Sequence, residues 1–100
     1  MRRGEIWRVT GVRGDRLVMI VSADAVAAAY ATVQAAPIYD AADVRHTLVT
    51  VPLDTPHVTG MIKVVDVAPV RRDKMAERVG EVPPHVMDQV SAALRTLFDL

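Results

Sequence analysis

Up to Pro83 the apolar residues of this chain come in short runs cut by glycine, proline or charged residues, whereas beyond it they recur at three- and four-residue intervals. That change of period constrains the fold most, because short runs suit strands and the later spacing suits one face of a helix. In Glu5 to Thr10, Trp7 and Val9 alternate with Ile6, Arg8 and Thr10, predicting a strand with the tryptophan face on the core. Gly11 and Gly14 bracket the following turn, and Leu17 to Val21 is an apolar run suited to a strand buried on both faces. Alanine-rich Ala23 to Ala31, with Asp24 near its start, favours a short helix. Thr32 to Tyr39 reads as a third strand, in which Pro37 implies an edge or a bulge.

Asp40 to His46 is a polar connection, His46 to Asp54 alternates as a strand, and Met61 to Val70 supplies another after the turn residues between. Charged Arg71 to Val82 is expected as a shorter helix ended by Gly80. Finally, Val86, Met87, Val90, Ala93, Leu94, Leu97 and Phe98 form one helical stripe, with Pro84 suited to its first turn. The expectation is α+β: a small, strongly curved antiparallel sheet, barrel-like, with a C-terminal helix. With 100 residues, 51% of them hydrophobic, the whole of 1–100 forms a single domain able to bury a core without metal or disulfide.

The absence of cysteine excludes disulfides, thiolate catalysis and cysteine zinc sites, and makes the cytoplasm the default compartment. An export signal is not expected, although Arg2 and Arg3 precede apolar residues, because the apolar stretch starts only at Leu17 and Asp24 interrupts it. No apolar run reaches membrane-spanning length. His57 and His85 lack spaced partners, so no metal is expected.

Net charge is zero, so attraction to an anion has to come from local clustering. Arg2, Arg3, Arg8, Arg13 and Arg16 outnumber Glu5 and Asp15 near the start, and arginine far outnumbers lysine, which favours bidentate binding of phosphate or carboxylate. Two readings of Arg16 compete: a turn charge paired with Asp15, or a cation held at a strand entrance for an anionic ligand.

The stretches RGEIWRV, VMIVS, VQAAPI, TGMIKVVDVAPV and GEVPPHVMDQVSAALRTLF follow the order found in MazF/PemK toxins, and the chain resembles that family over nearly its whole length. The resemblance implies an SH3-like barrel, a homodimer, and a cognate antitoxin whose disordered tail occupies the dimer groove. It also implies a toxin that cuts single-stranded RNA at short sequences, with no metal or cofactor. In such chemistry the ribose 2′-hydroxyl attacks phosphorus. A proton acceptor, a proton donor and a cationic clamp on the phosphate oxygens are then required.

The family's catalytic arginine sits in an Arg-Pro pair at the second strand; Arg16 takes that place here, with Leu17 where the proline would be. The family's Pro-Leu-Thr-Ser is PIYD here, so Tyr39 and Asp40 fall at the hydroxyl positions. Arg13, Arg45 and His46 are candidates for an RNA groove. The alternatives within the superfamily are a CcdB-like gyrase poison acting through the C-terminal helix, and a catalytically silent relative that only binds RNA or protein.

Overall fold

The computed structural model describes residues 1–99. Seven strands and two helices run in the order β1 (Glu5–Val9), β2 (Arg16–Ile20), α1 (Asp24–Ala29), β3 (Thr32–Tyr39), β4 (Thr50–Asp54), β5 (Thr59–Lys63), β6 (Ala68–Arg71), β7 (Met75–Glu81) and α2 (Pro84–Phe98). All strand pairs are antiparallel, in the spatial order β4-β5-β3-β2-β1-β7, with β6 also paired to β3.

Among the described residues no ladder joins β4 to β7, so the sheet is open and the expected closed barrel is corrected. The curvature has a different origin. One edge of β3 is shared, with Thr32–Ala35 pairing to β6 and Ile38–Tyr39 to β5. Pro37 sits where the partners change, opposite Val18 of β2. The Gln34 carbonyl accepts from Val21 N–H on the β2 side, so strand alternation turns the Pro37 nitrogen toward the gap between β5 and β6. No ladder hydrogen bond is lost there, and an interior strand tolerates the proline.

Each face of the sheet carries its own core. On one side Ile6, Met19, Ile38, Val51, Leu53 and Ile62 pack with Val86, Val90 and Ala93 of α2. On the other, Val9, Val18, Ala35 and Val70 gather with Trp7 and Met75, while Ile20 and Val33 hold Ala27 of α1. The Trp7 and Val9 face of β1 lies on a core as expected, with Val9 buried and Trp7 half-buried, and the opposite face does too, with Ile6 completely buried on the α2 side. The C-terminal stripe is a packing surface. Each fully buried valine in it stabilises the domain by about 1.5–3 kcal/mol.

Three further expectations change. Arg71 to Val82 is not a helix; Arg72–Lys74 is one 3-10 turn and β7 follows, paired along β1. Met61 to Val70 is two strands separated by a 3-10 turn at Val64–Asp66. The strand expected from His46 begins only at Thr50, whose hydroxyl accepts from Thr47 N–H.

Glu5 ties the β1–β7 edge together. Its carboxylate accepts from Arg2 N–H (2.9 Å), Trp7 Nε1–H (3.1 Å) and Arg78 Nε–H (3.0 Å) while the side chain is 11% exposed. Burial alone pushes its pKa up, but the bonds from Arg2, Trp7 and Arg78 outweigh it and hold the carboxyl below its usual range. A carboxyl whose folded pKa is depressed adds stability above its unfolded pKa and loses it as pH falls through the folded value. Stability is therefore expected to drop as pH is lowered through the acid range below about 4.5. Glu5→Gln is expected to cost about 1–2 kcal/mol at pH 7 and to flatten that decline, as urea melts at several pH values would measure.

Candidate active site

The turn between β1 and β2 is set by its glycines. Gly14 adopts φ +115°, a conformation that side chains rarely take, and its N–H donates to the Gly11 carbonyl at 3.2 Å. Thr10 N–H donates to the Lys74 carbonyl at 3.0 Å, fastening the loop to the β6–β7 connection. Val12 projects fully into solvent at the tip, and Arg13 beside it is exposed.

The charges around this loop bear on the two readings of Arg16. Asp15 pairs with Arg8 (Nε to Oδ2, 3.4 Å), and Arg8 also donates from Nη2 to Glu77 across the β1–β7 pair. Arg16 forms no ion pair among the described residues, although it is exposed at the first position of β2. The Arg16–Asp15 pair that the turn-charge reading supposed is absent among the described residues, because Asp15 has Arg8 as its partner. The Arg16 guanidinium is available to an external anion.

Arg16 lines an open depression of about 450 Å³ with Val9, Val12, Val70, Arg71 and Lys74. Apolar walls and a cationic rim suit a nucleotide: a base can lie against the valines while phosphate meets the arginines. Arg71 is partly engaged with Asp73 at 2.6 Å.

On its other flank Arg16 faces β3. The register pairing Leu17 with Ile38 puts Arg16 across from Tyr39, and cross-strand neighbours share a face of the sheet. Tyr39 is 41% exposed, and Lys63 Nζ stands 6.0 Å from its ring centroid. Asp40 caps the 3-10 turn Ala41–Asp43, accepting from Ala42 N–H at 3.0 Å through Oδ1. Its Oδ2 accepts no hydrogen bond among the described residues. Arg45 and His46 are exposed in the connection before β4 and do not line the depression.

Arg16 and Tyr39 thus lie across from each other on adjacent strands, Asp40 follows Tyr39 in the chain, Arg13 shares the loop with Arg16, and Arg45 and His46 do not line the depression. Arg71, Lys74 and Lys63 are the additions that sequence reasoning missed. The pairing of β6 with β3 and the turn after it bring Arg71 and Lys74 to the depression beside Arg16, the pairing of β5 with β3 brings Lys63 to the Tyr39 ring, and nothing in their local spacing signals it.

This arrangement can be compared with known proteins. The model of the PemK-like, MazF-like toxins of type II toxin–antitoxin systems matches residues 2–98. The chain belongs to this family. No curated protein matches it significantly. Among solved structures, an endoribonuclease in complex with its cognate antitoxin from a mycobacterial species is 25% identical and superposes with a TM-score of 0.90, covering 100% of this chain and 96% of that one. MazE–MazF from Deinococcus radiodurans (Form-II) is 20% identical with a TM-score of 0.88, covering 100% and 96%. The Mycobacterium tuberculosis toxin MazF-mt6 is 19% identical with a TM-score of 0.82, covering 96% and 97%.

In this MazF-like toxin Arg16 stands exposed at the start of β2, and Tyr39 and Asp40 stand at the end of β3 and just beyond it. Among the described residues, no group of three or more His, Asp or Glu side chains is clustered to hold a metal ion, and no helix is long and apolar enough to cross a membrane.

Proposed function

We propose that this toxin cleaves single-stranded RNA at specific short sequences without a metal, by attack of the ribose 2′-hydroxyl on the adjacent phosphorus. The observation carrying this reading is Arg16: without an ion pair among the described residues, exposed, and set between a nucleotide-sized depression and Tyr39. Its planar fork holds two phosphate oxygens and stabilises the charge that accumulates on them in the transition state.

The remaining roles follow from position. Asp40, through its free Oδ2, takes the proton of the 2′-hydroxyl as the O2′–P bond forms. The Tyr39 hydroxyl gives its proton to the departing 5′-oxygen as the P–O5′ bond breaks. The products are a 2′,3′-cyclic phosphate and a 5′-hydroxyl. Arg13 contacts the neighbouring backbone, and Arg45 and His46 extend the RNA path beyond β3. Two copies pair, and a cognate antitoxin covers the site. Its substrate in the cell is cytoplasmic mRNA.

The family match and the similarity to the mycobacterial endoribonuclease support this reading over a gyrase poison. Val86, Val90 and Ala93 of α2 are committed to the core, whereas the Leu94–Phe98 end that the poison alternative invokes leaves Phe98 58% exposed, so the preference rests on the family match. Incubating the purified toxin with single-stranded RNA in excess chelator is the test: discrete fragments are expected, and RNA left intact would refute the proposal.

A further inference from the structure

Arg8 occupies an unusual position for a strand residue. It sits at the middle of the β1–β7 pair, opposite Glu77, and its guanidinium reaches two acids on different elements: Asp15 in the loop and Glu77 on β7. Asp15 is the one carboxylate adjacent in sequence to the Arg16 that the proposed chemistry depends on. Left unpaired, its negative charge one residue from Arg16 would repel an incoming phosphate.

We propose that Arg8 is a positioning residue for this site: by holding Asp15 against β7 it neutralises that carboxylate and leaves the Arg16 guanidinium free to bind phosphate. The inference rests on the reading of Arg16 as the phosphate-binding residue. Glu77 matters because it keeps the Arg8 guanidinium over the loop end of β1, where an unanchored arginine would sample many rotamers. The β1–β7 ladder carries register shifts between Ile6 and Trp7 and between Arg8 and Val9, so the strand is irregular on both sides of Arg8. Below these bulges, Thr10 N–H and its hydroxyl both bond the Lys74 carbonyl, fixing the start of the same loop. Arg8 thus fixes the loop's acidic end and Thr10 its entrance.

The arrangement makes a prediction that a purely mechanical clamp does not. If Arg8 serves to silence Asp15, removing the Asp15 charge makes Arg8 dispensable. If Arg8 only braces the loop, removing Asp15 as well cannot help.

The test uses the full chain and a single-stranded 2′-O-methyl oligonucleotide pool, which lacks the attacking hydroxyl and so reports binding without cleavage. Fluorescence anisotropy is expected to show Arg8→Ala binding about tenfold more weakly than wild type at low salt, with the difference shrinking as salt is raised. Arg8→Lys is expected to retain most of the affinity. The double variant Arg8→Ala/Asp15→Asn is expected to return to within about twofold of wild type. Thermal melts of each variant identify any that fails to fold, and Asp15→Asn alone, which needs no core change, is expected to bind at least as tightly as wild type.

Undiminished binding by Arg8→Ala, or a double variant no better than Arg8→Ala, would overturn the inference. Parallel digestion of unmodified RNA separates the two proposals. Cleavage by wild type with an unaffected Arg8→Ala leaves the ribonuclease reading standing and removes this one. The expected binding pattern without any cleavage does the reverse, and a wild type that neither binds nor cuts removes both.

Discussion

Replacing Arg16 with alanine is expected to lower RNA cleavage by about 10²–10³-fold, the usual loss when one preorganised donor to a developing oxyanion is removed. The side chain makes no ion pair among the described residues and stands exposed at the β2 entrance, so no folding contact accompanies the loss. Urea melts should accordingly differ from wild type by no more than about 0.5 kcal/mol. Arg16→Lys keeps a positive charge but lacks the fork that meets two oxygens together, so its rate is expected to fall between the two. An alanine variant that cuts RNA at the wild-type rate would remove Arg16 from the mechanism.

The largest expected stability effect belongs to Gly60, in the TGMIKV stretch. A Cβ built there would lie 2.4 Å from the Tyr39 carbonyl oxygen and 3.1 Å from Ile38 Cγ2. The first of these is a backbone atom at the end of the β3–β5 pairing, so relief requires the two strands to separate there. Gly60→Ala is expected to cost about 2–3 kcal/mol, at the upper end for inserting one carbon into a packed site. That corresponds to a fall of roughly 10–20 °C in melting temperature for a domain of this size. Gly80 provides the contrast: a Cβ there meets nothing within 4 Å, and Gly80→Ala is expected to leave stability within about 0.5 kcal/mol. Because the displaced carbonyl belongs to Tyr39, the Gly60 variant should also lose activity at temperatures where it remains folded. Equal melting temperatures for the two alanine variants would contradict the close approach of β5 to β3.

The same residues mark what the sequence could and could not disclose. The third strand is legible to the residue, Thr32 to Tyr39, because its apolar alternation ends at a charged turn. The C-terminal helix is equally clear, since Val86, Val90 and Ala93 carry the stripe and Pro84 starts it. Arg71 to Val82 misleads for a physical reason. Glu77, Arg78 and Glu81 favour helix in isolation, but they lie on an outer strand whose pairing with β1 and whose ion pairs to Arg8 and Glu5 override that preference. Charges of this kind are also what protects an exposed sheet edge from pairing with other chains.

The site divides along the same line. Arg16, Tyr39 and Asp40 are candidates because the resemblance to MazF/PemK toxins points to their positions, and the structure puts them at the start of β2, the end of β3 and just beyond it. The depression beside Arg16 is not visible in the sequence, because Val70, Arg71 and Lys74 reach it only through the pairing of β6 with β3 and the turn that follows. The fate of Asp15 was equally hidden. Adjacent to Arg16 in the chain, it bonds instead to Arg8, a partner set by the return of the loop along β1.

Most directly, the central claim is tested by end-group analysis of single-stranded RNA digested in chelator, with wild type and Arg16→Ala run side by side. Attack by the 2′-hydroxyl under the grip of Arg16 predicts 2′,3′-cyclic phosphate and 5′-hydroxyl ends from wild type and almost none from the variant. Fragments ending in 3′-hydroxyl and 5′-phosphate, or equal yields from both proteins, would contradict it.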